Sequence, residues 1–341
     1  MRKIKIGMGP ENSSMDLFSH ALLPYLLGSF LRMNKRLLAA FVLGGIAPDL
    51  DLLVVWLNDI YPTSLLIVHR GFTHTFFFGF FTALAVLYLV TRDPVLAAIR
   101  RFLDFDLDFS MATIALAYAG VLSHLLMDYL TTRGVPLLYP WYAARYSAEI
   151  FFHTEIIIMI ASLVILVELF REKSRKGFNK NLFIIFIVFI VAIGAIRIEG
   201  KDTAQSFFHN ESAKSFAESG LFQWAVLDDG HDQFRVYEFD SFRGKVQRRS
   251  TFPCLFVRPP GDDPKKAIEA ADELSQVKLF RWRAYAVAIN ASFQNGSWIL
   301  EYYDPVVKME TMSAWPILQK ISGSYGSVRV NVKGDFAEVM R

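Results

Sequence analysis

Cysteine is nearly absent: Cys254 is the one thiol in 341 residues, so an intramolecular disulfide and a cysteine-built zinc cage are both excluded. Any metal ion on this chain must be held by imidazole and carboxylate. Other signatures are missing as well. The sequence has no His-Glu-x-x-His, no Gly-x-Ser-x-Gly and no glycine-rich phosphate loop, so serine-triad and nucleotide-dependent chemistries lose support. Excess charge is lacking too. The net charge is +3 and the Lys and Arg residues fall in short loops instead of one stripe, so nucleic acid is not an expected partner. The N-terminus has neither the compact apolar core nor the small-residue cleavage site of a signal peptide. Residues 1–14 are expected to be a dispensable extension, with Met15 as an alternative start.

What the chain has in quantity is apolar surface: 53% of residues, including 31 Phe, with a mean hydropathy of +0.31. The distribution is uneven. Long apolar runs follow one another up to about Ile198, whereas charged residues recur every few positions after Gly200. This predicts an all-α polytopic membrane domain over 15–199 and a small soluble α+β domain over 200–341. Six apolar segments are readable as helices: Asp16–Leu31, Leu37–Leu57, His74–Val90, Met111–Leu130, Thr154–Phe170 and Leu182–Ile198. Several are at the short end for spanning a bilayer, and the first, with Pro24, is also readable as tilted or re-entrant.

Ionisable groups stand inside these runs, where an unpaired one costs roughly 2.5–3.5 kcal/mol at mid-membrane. His124 and Asp128 are four apart, which puts imidazole and carboxylate on one helical face. Asp16 and His20, Asp49 and Asp51, and His69 and His74 repeat the theme. Asp49 and Asp51 diverge by about 200° on a regular helix, so both reach one centre only if Gly44, Gly45 and Pro48 make the backbone irregular. The alternative is that Pro48 opens a helix and the carboxylates favour its first turn. In His69-Arg70-Gly71-Phe72-Thr73-His74 the five-residue spacing reads as a loop, with Thr73 capping a helix that His74 opens. Arg70 is either an anion clamp or a snorkelling interfacial arginine. A lone histidine in such a run is more often a satisfied structural group. Four of them with four carboxylates reverse those odds.

The basic residues set an orientation. Arg171, Lys173, Arg175, Lys176 and Lys180 mark the loop between the fifth and sixth segments as cytoplasmic, and Arg32, Lys35, Arg36, Arg92, Arg100 and Arg101 agree. Alternation then carries the unusual groups, with His153 and Glu155, to one extracytoplasmic face, and puts the C-terminal domain on that side. A transport pathway would instead distribute such groups through the membrane depth.

These residues resemble the membrane-bound metal-dependent hydrolase family of YdjM-like proteins. The likeness rests on Met15-Asp16-Leu17-Phe18-Ser19-His20, on Gly45-Ile46-Ala47-Pro48-Asp49-Leu50-Asp51, and on His69-Arg70-Gly71-Phe72-Thr73-His74. A fourth motif is Ser123-His124-Leu125-Leu126-Met127-Asp128, followed by Thr131-Thr132-Arg133-Gly134-Val135-Pro136. The resemblance covers roughly residues 15–200 and implies a polytopic enzyme that hydrolyses an ester or related bond with bound metal. The expected ligands are His20, Asp49, His69, His74, His124 and Asp128, holding one or two divalent transition-metal ions, zinc or manganese foremost. Asp51, Asp49 and Arg70 are the expected catalytic groups, with Asp49 and Asp51 each readable as ligand or general base. The expected substrate is lipid-like and drawn from the bilayer. The competing reading is a metal-ion or proton-coupled transporter built on the same cluster. Tyr139, Trp141 and Tyr142 read first as interfacial anchors.

In the C-terminal part, period-two alternation over Phe234–Phe239 and Trp298–Tyr303 predicts strands. Asp262-Asp263-Pro264 predicts one amphipathic helix running to about Val277. His209 and His231 are expected to be surface residues.

Overall fold

The computed structural model describes residues 17–54, 68–102, 106–152, 155–171, 178–208, 213–230, 232–258, 263–313 and 327–340. Asp16, His153, His209, His231 and Asp262 lie outside the described residues, as do Lys173, Arg175 and Lys176 of the basic loop. The described chain divides into two compact units, a helical one of residues 17–54 and 68–198 and a sheet-rich one from Glu199 onward.

The helical unit contains α1 (Leu17–Phe30), α2 (Lys35–Ile46), α3 (Phe76–Val90), α4 (Asp93–Arg100), α5 (Met111–Tyr129) and α6 (Ile156–Arg171). The long α7 (Phe178–Phe208) begins in this unit and ends in the other. Among the described residues, only α5 and the Asn181–Phe208 part of α7 are long and apolar enough to cross a membrane; α3 and α4, bent by 76° at their junction, make a third span if counted together. Helix α1 and Ile156–Leu169 of α6 are apolar but shorter. Of the six apolar segments read as helices, two or three are thus candidate spans among the described residues. The second segment shows why a run of apolar residues overstates helix length. Pro48 has no amide hydrogen to continue the helical ladder, so α2 ends at Ile46 and the chain tightens into a 3-10 turn over Pro48–Leu53.

Helix starts follow local chemistry. Ser110 and Thr113 form a reciprocal capping box at α5, and Asn34 caps α2 through Leu37 N at 2.9 Å. At α3 the cap is Thr75, which accepts from Phe78 N at 2.9 Å, and not Thr73 as the sequence suggested. Phe72–His74 instead forms a separate 3-10 turn.

Helices α2 and α5 cross at backbone contact. A Cβ on Gly44 would overlap the Ala117 carbonyl, and one on Gly120 would overlap the Phe41 carbonyl. Gly45 is likewise pressed against the His20 carbonyl of α1. Gly44 and Gly45 therefore act in a regular helix by permitting close approach, a different use from the kink read in the sequence. The surrounding core joins Ala40, Ala83, Leu87, Ala117, Val121 and Leu125. On the periphery, Ile157, Ile160 and Val164 of α6 and Ile185, Val188 and Val191 of α7 stay exposed. An apolar surface of that extent suits lipid better than water. Inside, Arg197 Nη2 donates to Glu155 Oε1 and Oε2 at 2.8 and 2.9 Å, both side chains being buried. Removing one partner of such a pair typically costs about 3–5 kcal/mol.

The second unit carries two sheets. Strands β1 (Lys214–Ala217), β2 (Gln223–Asp229), β3 (Gln233–Asp240) and β4 (Lys245–Pro253) form an antiparallel meander. Phe207 and Phe208, at the end of α7, pack with tilted rings against Phe239 and Tyr237 of β3. Strands β5 (Leu255–Arg258), β6 (Ala288–Gln294), β7 (Ser297–Tyr303), β8 (Ser327–Lys333) and β9 (Phe336–Val339) form a second sheet in chain order, parallel only between β5 and β6. Both strands read from alternation are present as β3 and β7. The single helix expected after Pro264 is two, α8 (Lys265–Asp272) and α9 (Ser275–Arg283), because Leu274 is extended. The break lets Ala267 and Ala271 of α8 and Val277 and Phe280 of α9 enter one core with Trp298, Leu300 and Val330. A further helix, α10 (Pro305–Ser313), follows β7.

Candidate metal centre

The 3-10 turn after α2 carries Asp49 and Asp51, the loop before α3 carries His69, Arg70 and His74, the last turns of α5 carry His124 and Asp128, and the first turn of α1 carries His20. Alternating helix direction brings these to one end of the helical unit. His20, Asp49, Asp51, His69, His74, His124 and Asp128 are all buried.

Four donor atoms form a ring. His74 Nε2 lies 3.3 Å from Asp49 Oδ1 and 3.5 Å from Asp128 Oδ2, while His124 Nε2 lies 3.5 Å and 3.4 Å from the same two oxygens. Ligands about 2.1 Å from a tetrahedral ion are about 3.4 Å apart, so the ring supplies four of the six edges of such a site. His20 stacks on His124 with ring centroids 3.8 Å apart, and His69 meets His74 edge-on at 5.2 Å. His20, Asp49 and His124 form one group that could hold an ion; Asp49, His69 and His74 form a second, and His74, His124 and Asp128 a third. The three overlap in Asp49, His74 and His124.

The hydrogen bonds behind the ring decide which atoms face it. His124 Nδ1 lies 2.7 Å from the Gly45 carbonyl, which can only accept, so the proton is on Nδ1 and a lone pair is on Nε2 in the neutral ring. Thr73 Oγ1 donates to Asp51 Oδ2 at 2.9 Å and therefore accepts from His74 Nδ1 at 2.9 Å, which again leaves a lone pair on Nε2. In neutral rings, the form a ligand imidazole takes, two Nε2 lone pairs would then face two carboxylates, whereas a proton on His74 Nε2 would make its 3.3 Å approach to Asp49 Oδ1 a hydrogen bond. Four buried atoms here have no hydrogen-bond partner: His20 Nδ1, Asp49 Oδ2, His124 Nε2 and Asp128 Oδ2. Buried nitrogen and carboxylate atoms left without hydrogen-bond partners in one cluster are what a cation site offers and what an uncharged core avoids.

Charge points the same way. Asp49, Asp51 and Asp128 are opposed by the guanidinium of Arg70, whose Nη2 donates to Asp128 Oδ1 at 2.6 Å. With His20, His74 and His124 neutral, three carboxylates against one guanidinium leave a single or double negative charge according to whether His69 carries a proton, and a divalent cation would offset it. Arg70 also donates from Nη1 to Thr131 Oγ1 at 2.9 Å, and it holds a left-handed backbone (φ 59°), a conformation costing about 1–3 kcal/mol for a non-glycine residue. Burial alone would lower the pKa of His69. The hydrogen bond to Asp51, at 3.0 Å, and the charges of Asp51 and Asp49 outweigh burial and hold it above the ordinary histidine value.

All six residues expected as ligands therefore meet in one cluster. Asp51 is adjacent to it, yet both its oxygens are engaged, by His69 and Thr73. Glu155, expected on the same face, pairs with Arg197 instead. Thr73 and the Gly45 carbonyl were missed as functional groups; Thr73 was legible only as a capping residue, and a carbonyl has no signature in sequence.

Residues 15–199 match the family described as YdjM inner membrane protein. The chain is also similar to the inner membrane protein YbcI of Escherichia coli (strain K12), with 31% identity over 137 residues, or 39% of this chain and 71% of that protein. No solved structure matches it. The family match covers more than half of the chain, which therefore belongs to the YdjM inner membrane protein family.

If the ring holds a cation, purified protein carries about one or two transition-metal ions per chain, and His124→Ala loses most of that metal. Elemental analysis checks this. Equal content in the two proteins contradicts the assignment.

Proposed function

We propose that this member of the YdjM inner membrane protein family is a membrane-embedded metal-dependent hydrolase of an ester or phosphoester, acting on a lipid or lipid-linked substrate. The observation that carries the reading is the buried ring of His74, His124, Asp49 and Asp128, with Nε2 atoms facing carboxylate oxygens at 3.3–3.5 Å. The donor set fits a divalent ion. Nitrogen and oxygen at near-tetrahedral spacing, without sulfur, favour zinc, with manganese next. His74, His124, Asp49 and Asp128 would hold the first ion, and His20 and His69 are close enough to complete a second site.

A bound divalent cation supplies Lewis acidity and brings water toward ionisation near neutral pH. The chain's own residues do the rest. Arg70 fixes the Asp128 carboxylate from outside the ring, which keeps Oδ2 turned inward. Asp49 Oδ2 is buried and has no partner, so it is the atom placed to take the proton of an attacking water. The lipid-like substrate class follows from setting: the site is built by helices that also include membrane-length spans and exposed apolar faces.

The functional test is turnover in detergent, where no transmembrane gradient exists. Phospholipids and generic carboxylic and phosphate esters should be cleaved. Activity should be removed by chelation, restored by zinc or manganese, and reduced by at least about 100-fold in Asp128→Asn and His74→Ala. Absence of metal-dependent turnover, together with cation flux in reconstituted vesicles that depends on His124, would replace the enzyme with a transporter.

We further propose that the metal end of the bundle is extracytoplasmic, as the basic residues at the opposite ends of α2, α3 and α5 suggest: Lys35 and Arg36, Arg92, and the Arg100–Arg101 pair before α5. A reporter fused after Arg341 should then register outside and one within 171–180 inside. The inverse pattern would turn the site to the cytoplasm.

A further inference from the structure

We infer that Asp51 and Thr73 form a positioning relay that locks His69 and His74 in the tautomer presenting Nε2, so that Asp51 is neither a metal ligand nor the general base. The inference rests on the metal-dependent reading of the site and assigns a role within it. It stands on hydrogen-bond accounting. Asp51 Oδ1 accepts from His69 Nδ1 at 3.0 Å. Asp51 Oδ2 accepts from the Thr73 hydroxyl at 2.9 Å, and the same hydroxyl oxygen accepts from His74 Nδ1 at 2.9 Å. One carboxylate thereby fixes two imidazoles, one directly and one through a hydroxyl.

Two contrasts separate Asp51 from its neighbour. Asp49 Oδ2 has no partner and Asp49 Oδ1 faces Nε2 of both His74 and His124. The Asp51 oxygens face Nδ1 atoms, on the side of the rings away from the metal-binding nitrogen, and Asp51 belongs to none of the three donor groups that could hold an ion. Orienting a ligand histidine through its second nitrogen fixes ring angle and tautomer and raises ligand basicity, and losing the orienting group commonly lowers metal affinity by about 10–100-fold. The 3-10 geometry of Pro48–Leu53 makes the division possible. It turns Asp49 into the ring and Asp51 behind it, two residues apart on one turn.

The substitutions differ in what they break. Asp51→Asn keeps shape but replaces one accepting oxygen by an NH2 donor, which confronts either His69 Nδ1–H or the Thr73 hydroxyl. Thr73→Val cuts only the arm to His74. Thr73→Ser preserves both bonds. The experiment is cobalt(II) titration of full-length, metal-free protein in detergent, followed by the visible absorption of the bound ion. Asp51→Asn should still reach wild-type stoichiometry at saturation, with affinity lower by about 10–100-fold and an altered cobalt spectrum. Thr73→Val should fall by about 10-fold, and Thr73→Ser should return to wild type in both readouts.

Loss of an ion from Asp51→Asn at saturating cobalt, as expected for Asp49→Asn, would make Asp51 a ligand and overturn the relay. Unchanged affinity and spectrum in both Asp51→Asn and Thr73→Val would overturn it as well, whatever happens to turnover. Wild type that binds no cobalt would remove the metal reading itself and the relay with it, a result distinct from either failure confined to the variants.

Discussion

Two imidazole nitrogens and two carboxylates face one another at 3.3–3.5 Å in a buried space. In a low-dielectric interior, that arrangement is tolerable only if a positive charge stands between the groups. Much of the helical unit can be understood as what it takes to impose it. The glycine crossing of α2 and α5 brings the Gly45 carbonyl to 2.7 Å from His124 Nδ1, and so fixes which nitrogen of His124 looks inward. A side chain at Gly44 or Gly120 would separate the helices and with them Asp49 from His124. The close packing and the chemistry are thus one constraint.

Four of the six candidate ligands are held from behind, each by a different kind of group. A backbone carbonyl orients His124, a hydroxyl orients His74, a carboxylate orients His69 and a guanidinium orients Asp128. The left-handed backbone at Arg70 belongs to this arrangement. It is an unfavourable conformation for arginine, held in place by the bonds to Asp128 and Thr131 at the end of α5. The segment after α5 is itself tied down, with Ser147 Oγ donating to the Thr131 carbonyl at 2.5 Å and Thr132 N to the Phe151 carbonyl at 2.8 Å.

The candidate ligands were legible in sequence because charge inside an apolar run is costly enough to demand a reason. His124 and Asp128 could be paired from their four-residue spacing alone. The partition between Asp49 and Asp51 could not, since it depends on a 3-10 turn and on which nitrogen each histidine protonates. Nor could the role of Arg70, which sequence left between anion clamp and interfacial anchor and which the structure bonds to Asp128. Helix positions were readable from apolar runs, but spanning capacity was not, because hydrophobicity says nothing about where Pro48 stops a ladder or where α3 bends into α4. In the sheet-rich unit, alternation located β3 and β7. The break at Leu274 was hidden because both halves of the sequence have helical periodicity and only the shared core separates them.

The central claim is that a nitrogen- and oxygen-ligated cation completes this ring. X-ray absorption spectroscopy at the edge of the metal that copurifies with the protein tests it most directly. The account predicts a first shell of about four nitrogen and oxygen atoms near 2.0–2.1 Å, with the outer-shell scattering of at least two imidazoles and no sulfur. A shell of about six oxygens without imidazole scattering, as for a hydrated surface-bound ion, would contradict it.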